Sequence, residues 1–284
     1  MRNGTGYIEV EPGVHLFVED WGEGRPILFV HGWPLSSRMF DFQAMELPKR
    51  GIRVIAFDLR GFGRSSKTWE LNYDIWARDI GRIISELGLR NVTLAGFSMG
   101  GAIAAHYAAM SGDRRVTKLA LMAAAAPRLV AGPDFPEGLP LEAVQSIIDG
   151  ERMDPAKGKS NFGSMFFSTD ASPELRRWYD NIGMVAPPHS TIRGFEEIRD
   201  RDLRREVGAI QIPTRIFHGV HDKVVPFALG QLLNRMIDGS SLVQFDIGGH
   251  AFCYEEQDRV NDELERFVVE VPEGWRRIVQ PMRA

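Results

Sequence analysis

The chain has 284 residues, of which 44% are hydrophobic and 25% are charged, and its formal net charge at pH 7 is -4. This is an ordinary globular composition, and the acidic balance argues against a nucleic-acid-binding surface, which would normally carry a basic excess. No apolar run approaches the roughly 20 residues of a membrane span, the N-terminus lacks the apolar core of a signal peptide, and Cys253 is the only cysteine, so we expect a cytoplasmic protein without a membrane anchor or an internal disulfide.

Short runs of β-forming residues alternate along the chain with helical patterns. Several of these runs are apolar at consecutive positions, which is typical of strands that are covered on both faces of a parallel sheet. The predicted strands lie at residues 15–18, 27–30, 54–57, 92–95, 118–122, 215–218 and 242–245.

Helical patterns lie between these strands. Asn72 is predicted to cap a helix that runs to about Leu87, because the apolar residues that follow it keep to one face, and Gly88 is predicted to end it. Further helices are predicted at residues 100–110, 227–237 and 256–269. The alternation predicts an open α/β sheet with helices on both faces.

The alternation breaks between about residues 128 and 208. This stretch opens with four prolines, is otherwise helix-like, and is too long for a plain loop. It predicts a helical cap at residues 128–208 over a core formed by residues 1–127 and 209–284, with part of its apolar surface facing a pocket. Residues 271–284 are expected to be a tail, to which we assign no function.

Residues 96–100 read Gly-Phe-Ser-Met-Gly and match G-x-S-x-G between a predicted strand and a predicted helix. In this arrangement the serine lies on a sharp turn, and the residues two before and two after it must be small because a Cβ would clash across the turn. The turn presents the hydroxyl of Ser98 at the C-terminal edge of the strands, where open α/β sheets bind ligands. Since serine is a poor nucleophile without a base, the sequence should also supply a histidine, a carboxylate and oxyanion donors.

His250 and Asp222 fit the first two of these roles. His250 follows the last predicted strand and Asp222 follows the strand at 215–218, so both lie at the same sheet edge as Ser98, in the order Ser, Asp, His. In such folds the acid can also follow the strand after the nucleophile. Residues 123–126 at that position are four alanines, so no acid is available there, which favours Asp222. His218 and His221 lack a third ligand with suitable spacing, so we expect no metal. Since residues 57–66 lack G-x-G-x-x-G, no dinucleotide is expected there either.

Two backbone N–H groups are candidates for the oxyanion donors. One belongs to Met99, the residue after the serine, and the other to Trp33 in the loop FVHGWP at residues 29–34. Pro34 has no N–H and restricts the backbone of Trp33. His31 is expected to brace this loop.

Five segments of the chain resemble, in the same order, motifs of the α/β-hydrolase superfamily, and the match spans about residues 25–255. They are HGWP, DLRGFGRS, GFSMGG, HGVHDKVVP and GGHAF. The GFSMGG segment, the Trp33 loop and the proline-rich start of the cap resemble more narrowly the branch of cofactor-free haloperoxidases and aryl esterases (perhydrolases). This resemblance implies the α/β-hydrolase fold, a mostly parallel central sheet flanked by helices with a helical cap insertion, and no cofactor.

The resemblance also assigns roles to residues. It implies that Ser98 is the nucleophile, His250 the base and Asp222 the orienting acid, with the oxyanion bound by Trp33 and Met99. Phe162 would line the acyl pocket together with Trp33. Members of this branch hydrolyse small carboxylic esters through an acyl-enzyme, and some pass the acyl group to hydrogen peroxide instead of water.

We therefore expect a serine hydrolase of small to medium, uncharged carboxylic esters, with water or hydrogen peroxide as acyl acceptor; a homo-oligomer is left open. One alternative keeps the triad but cleaves a C–C bond or an enol-lactone in an acidic substrate, which needs a cationic anchor. The cap offers four arginines for this, Arg152, Arg176, Arg177 and Arg193. A minor alternative is a triad-bearing ligand receptor.

Overall fold

The computed structural model describes residues 3–270, so the predicted tail at residues 271–284 lies outside the described part. Within residues 3–270, eight strands form one sheet. They are β1 (Gly4–Glu11), β2 (Val14–Trp21), β3 (Arg25–Val30), β4 (Ile52–Phe57), β5 (Val92–Phe97), β6 (Val116–Met122), β7 (Thr214–Gly219) and β8 (Ser241–Phe245).

The strand order across the sheet is β1-β2-β4-β3-β5-β6-β7-β8. β2 runs antiparallel to its neighbours β1 and β4, and the remaining neighbours are parallel. β5 lies inside the sheet between β3 and β6, and all six of its residues are buried. The mostly parallel α/β sheet predicted from the sequence is therefore confirmed.

Each predicted strand lies within one of β2–β8, whereas β1 was not predicted. β1 is an edge strand that pairs with β2 in the described sheet. Ile8 and Val10 are buried, but Tyr7 and Glu9 between and beside them are exposed. Since one face of this strand stays in water, its apolar pattern is too short to indicate a strand clearly.

The described helices include those predicted at 73–87, 100–110, 227–237 and 256–269, which correspond to α2, α3, α9 and α11. The full set is α1 (Asp41–Glu46), α2 (Tyr73–Glu86), α3 (Met99–Met110), α4 (Leu141–Met153), α5 (Pro155–Gly163), α6 (Pro173–Met184), α7 (Pro188–Asp200), α8 (Arg204–Val207), α9 (Phe227–Met236), α10 (Phe252–Glu255) and α11 (Gln257–Val269), with 3-10 helices at Ser37–Phe40 and Leu47–Arg50.

The predicted ends of α2 are also confirmed. The side chain of Asn72 accepts a hydrogen bond from the backbone N of Ile75 at 2.9 Å, and Gly88 follows the helix with a left-handed φ of 59°. Among the described residues, no helix combines the length and the apolar character that a membrane crossing needs.

Helices α4–α8 lie between β6 and β7, and we call them the insertion (residues 141–207). Prolines begin three of them, Pro155 in α5, Pro173 in α6 and Pro188 in α7, a position where the missing N–H has no helical partner to lose. α4 packs against α5 and α7, and α5 packs against α6. The insertion contacts the core at Gly194, where an added Cβ would lie 3.1 Å from Cδ1 of Trp33. The cap boundaries at residues 128 and 208 stay a prediction.

Candidate active site

Ser98 lies on the turn between β5 and α3. Its φ of 54° and ψ of -119° are rare for a residue with a side chain, and such conformations persist only when their surroundings fix them. Here the Ser98 N donates to the carbonyl of Met122 at 2.9 Å, and the Ser98 carbonyl accepts from the N of Ala125 at 3.0 Å. Hydrogen bonds to the last residue of β6 and to the chain that follows it therefore hold this turn.

The glycines around Ser98 are required by the close approach of the backbone. A Cβ on Gly96 would lie 2.3 Å from the carbonyl oxygen of Gly100, and a Cβ on Gly100 would lie 2.3 Å from that of Val30. Neither distance is compatible with a side chain. The sequence-based explanation for small residues at these two positions agrees with this geometry.

Asp222 and His250 are in direct contact. Nδ1 of His250 lies 2.7 Å from Oδ2 of Asp222, and Oδ1 of Asp222 accepts from the backbone N of Val224 and of Val225, both at 2.8 Å. Burial alone would raise the pKa of the Asp222 carboxyl, but the charge of His250 and hydrogen bonds from His218 and His250 lower that pKa well below its ordinary value. Asp222 is therefore an ionised, fixed partner for the imidazole ring.

The ring of His250 is buried next to the Ser98 turn. His250 is fully buried, and its ring packs 4.7 Å from the ring of Phe97, the residue before Ser98, and 4.8 Å from that of Phe166. Within the described residues, Nε2 of His250 has no hydrogen-bond partner, so it is not bonded to Ser98 Oγ. In resting sites such bonds are often long and tighten only when a substrate binds.

His218 is a second histidine against Asp222 that sequence reasoning missed, because the pair His218 and His221 was considered only for metal binding. Nε2 of His218 lies 3.0 Å from the carbonyl oxygen of Val225 and 3.4 Å from Oδ2 of Asp222. The spacing of four residues between His218 and Asp222 across one turn was the available signal. Among residues 3–270, no group of three or more His, Cys, Asp or Glu side chains is arranged to hold a metal ion.

The loop after β3 approaches Ser98 closely. A Cβ on Gly32 would lie 3.0 Å from the Cβ of Ser98. The backbone N–H groups of Trp33 and Met99 donate no hydrogen bond to any group in the described part of the chain. Neither N–H group is therefore committed to another group among residues 3–270.

His31 holds this loop in place. Its Nε2 accepts from the backbone N of Leu59 at 2.9 Å, so its proton is on Nδ1, which donates to the carbonyl of Gly32 at 2.9 Å. Complete burial lowers the pKa of His31 from 6.5 to about 4. The imidazole is thus neutral at neutral pH and ties the loop to the start of the segment after β4.

The side chain of Trp33 anchors the same loop to the insertion. Its Nε1 donates to the carbonyl of Thr191 in α7 at 2.8 Å, and its ring packs edge-on against Phe162 at 4.8 Å and Phe195 at 4.7 Å. Phe162, the predicted pocket residue, is therefore brought against the candidate oxyanion loop.

A small cavity of about 10 Å³ lies between this loop and helices α5 and α6. Its apolar lining residues include Pro34, Phe162 and Phe166, and its polar ones include Lys159 and Tyr179. A larger open groove of about 950 Å³ lies between α2 and α3, and none of the candidate site residues lines it.

The four arginines considered as cationic anchors do not line the small cavity. Arg152 and Arg193 both pair with Glu196, at 2.8 Å and 2.7 Å, Arg176 donates to backbone carbonyls before α6, and Arg177 is exposed. The prediction of an anchor among them gains no support from these positions.

The buried cation of the insertion is instead Lys159, which sequence reasoning missed. Its Nζ lies 2.9 Å from Oε2 of Glu151, and the two side chains are 5% and 0% exposed. Oε2 of Glu151 also accepts from the hydroxyl of Thr191 at 2.6 Å. No motif marks this pair, because its members are brought together only when α4, α5 and α7 pack.

The chain matches the family model described as alpha/beta hydrolase fold over residues 25–257. It is 45% identical to the AB hydrolase superfamily protein YisY of Bacillus subtilis (strain 168), covering 92% of this chain and 98% of that protein. It is 33% identical to a non-heme haloperoxidase of Rhodococcus erythropolis, covering 92% and 98%. Its structure is similar to that of an esterase from Exiguobacterium antarcticum, with a TM-score of 0.91, 35% identity, and coverage of 94% and 100%. The chain therefore belongs to the α/β-hydrolase family, in the branch that contains esterases and non-heme haloperoxidases.

Proposed function

We propose that the chain is a serine hydrolase that cleaves small to medium carboxylic esters through an acyl-enzyme. The observation that carries this proposal is the pair of His250 and Asp222, in which the ring nitrogen away from the carboxylate is buried and unpartnered beside the turn of Ser98. The esterase from Exiguobacterium antarcticum supports the choice of esters as the substrate class.

In the first half of the reaction, Ser98 Oγ attacks the ester carbonyl carbon while Nε2 of His250 takes its proton. The negative charge of Asp222 stabilises the imidazolium that forms and keeps the ring proton on Nδ1. The oxyanion accepts hydrogen bonds from the backbone N–H groups of Trp33 and Met99, and the latter also lies at the N-terminus of α3. His250 then protonates the leaving alcohol, and the acyl group stays on Ser98.

In the second half, His250 takes a proton from water, whose oxygen attacks the acyl carbon and releases the acid. With hydrogen peroxide in place of water, the same step releases a peracid. The haloperoxidase relative from Rhodococcus erythropolis supports peroxide as a second acyl acceptor. The acyl group would rest against Trp33 and Phe162.

Steady-state hydrolysis of p-nitrophenyl esters from acetate to octanoate, with and without hydrogen peroxide, tests this proposal. We expect turnover that falls about 10⁴-fold or more in Ser98→Ala, with an unchanged unfolding transition. Esterase activity retained by pure Ser98→Ala protein would contradict it. A protein that turns over no ester but is labelled at Ser98 by an organophosphonate would contradict the proposed substrate class while leaving the nucleophile in place.

A further inference from the structure

Tyr179 in α6 carries a buried hydroxyl that the proposed mechanism does not use. The residue is 2% exposed, and within residues 3–270 its hydroxyl has no hydrogen-bond partner. Its ring is enclosed by Phe166 at 5.0 Å, Tyr254 at 5.1 Å and Phe167 at 5.6 Å. A buried hydroxyl without a partner is costly, and a ligand that accepts its hydrogen bond would remove that cost.

The position of this hydroxyl relates it to the candidate active site. Tyr179 lines the small cavity together with Phe162 and Phe166, and Phe166 packs on the ring of His250. Burial, with further contributions from nearby acidic groups that include Asp222, raises the pKa of the Tyr179 hydroxyl well above its ordinary value. The group is therefore a neutral donor in a residue that lines the same cavity as Phe162, the proposed acyl-pocket residue.

A second buried tyrosine indicates that the cavity, rather than burial alone, distinguishes Tyr179. The hydroxyl of Tyr73 in α2 is also buried and without a partner in the described part of the chain. Tyr73, however, does not line the small cavity. It therefore offers a matched control.

The charges around the cavity disfavour an anionic group there. Lys159 is already neutralised by Glu151 at 2.9 Å, and the other oxygen of Glu151 is buried without a partner in the described residues. Asp180 lines the same cavity and adds negative charge. A carboxylate on the substrate would meet the acidic Asp180 and a cation that is already paired, which is unfavourable in a buried place.

We propose that the Tyr179 hydroxyl donates a hydrogen bond to a neutral oxygen in the acyl group of the substrate, so that the enzyme prefers ether-, hydroxy- or oxo-substituted acyl esters over plain aliphatic ones. This inference rests on the proposed ester hydrolase function and specifies its substrate class. Tyr179 is a specificity-determining residue and takes no part in bond making. One such hydrogen bond changes relative kcat/KM by about two- to tenfold.

The test compares esters of equal length in which one CH₂ of the acyl chain is replaced by oxygen. The pairs are p-nitrophenyl methoxyacetate with butyrate, and 3-methoxypropionate with valerate, assayed with the wild type, Tyr179→Phe and Tyr73→Phe. For each protein, kcat/KM for the oxygenated ester is divided by kcat/KM for the alkyl ester. Comparing this ratio between proteins cancels the difference in intrinsic reactivity within a pair.

We expect the ratio for at least one pair to fall about two- to tenfold in Tyr179→Phe and to stay unchanged in Tyr73→Phe. A matched pair with the oxygen in the alcohol group, 2-methoxyethyl and butyl butyrate, should be unaffected by both variants. An unchanged ratio for both acyl pairs, or a change confined to the alcohol pair, would overturn the inference. If the wild type is then still active and its activity depends on Ser98, the proposed function remains intact. Absence of Ser98-dependent turnover of every ester would instead overturn the proposed function, and this inference with it.

Discussion

The sheet edge that carries Ser98, Asp222 and His250 and the insertion that lies against it are held by different kinds of contact. At the edge, the backbone fixes the site: hydrogen bonds from main-chain N–H groups hold the Ser98 turn and one oxygen of Asp222. In the insertion, side chains from separate helices fix one another, as Lys159 and Glu151 do. The edge therefore depends on local sequence, and the insertion depends on how its helices pack.

The largest effect is expected at the edge, in Asp222→Asn. Because the backbone N–H groups of Val224 and Val225 occupy Oδ1, the amide NH₂ of the variant must take the position of Oδ2 and donate to Nδ1 of His250. This moves the ring proton to Nε2, which then cannot accept a proton from Ser98. We expect kcat/KM for p-nitrophenyl butyrate to fall about 10⁴-fold.

The control for this variant is Asp246→Asn, which changes an exposed carboxylate in the loop before His250. It should retain wild-type activity. A loss of less than tenfold in Asp222→Asn, measured on protein with a normal unfolding transition, would mean that the carboxylate does not set the ring tautomer.

In the insertion, Lys159→Met should reduce the free energy of unfolding, although no sequence motif marks this residue. The substitution leaves the fully buried carboxylate of Glu151 without its cation, and breaking a buried pair in this way costs about 3–5 kcal/mol. Urea unfolding measures the loss. The double variant Glu151→Gln/Lys159→Met should recover most of it, because no unpaired charge remains and the Gln oxygen can still accept from the Thr191 hydroxyl.

An exposed pair provides the comparison for this variant. Arg266 is 68% exposed and lies 2.7 Å from Glu263, and Arg266→Met is expected to change stability by less than about 1 kcal/mol. If Lys159→Met were as mild as Arg266→Met, the ion pair would not hold the insertion together.

The contrast between the sheet edge and the insertion also explains which features could be predicted from the sequence. Strands β2–β8, the capped helix α2 and the convergence of His250 with Asp222 were predicted, because hydrophobic periodicity and turn residues act within a few positions. The edge strand β1 was missed because half of it faces water. Lys159 was missed as a pocket residue, and Tyr179 was not singled out among the cap residues expected to face a pocket in part, because helical spacing places many side chains on a face. Only the packing of α5 on α6 selects those that line the cavity.

The candidate oxyanion loop contacts both regions, and its His31 predicts an effect of pH on stability. His31 has its pKa lowered from 6.5 to about 4 by burial, so the unfolded chain takes up a proton between these values and the folded protein does not. The free energy of unfolding should therefore fall by about 3 kcal/mol from this group as the pH falls from about 6.5 to 4. Above pH 6.5 the contribution of His31 should not change with pH. The nearby carboxylate of Asp58 opposes the shift but does not reverse it.

Urea unfolding of the wild type and His31→Gln at several pH values measures this contribution. The Gln side chain can accept from the Leu59 N–H but does not titrate, so the stability difference between the two proteins should shrink or reverse as the pH falls. A difference that stays constant from pH 7 to pH 4 would mean that His31 is not buried in its neutral form.

The smallest effects are expected from two glycines, one in each region. In Gly100→Ala the new Cβ meets the backbone carbonyl oxygen of Val30 at 2.3 Å and that of His31 at 2.4 Å, and since backbone cannot move aside as a side chain can, stability should fall by about 1–3 kcal/mol. Gly150 lies inside helix α4, and in Gly150→Ala the new Cβ lies 3.8 Å from Cα of Gly158 in α5, which is an ordinary contact, so stability should rise by about 0.5–1 kcal/mol. Thermal unfolding of both variants measures whether each substitution lowers or raises the stability. Opposite signs would support a tightly packed sheet edge at Ser98 beside a less tightly packed insertion, whereas a loss in both variants would mean that the insertion is as closely packed as the edge.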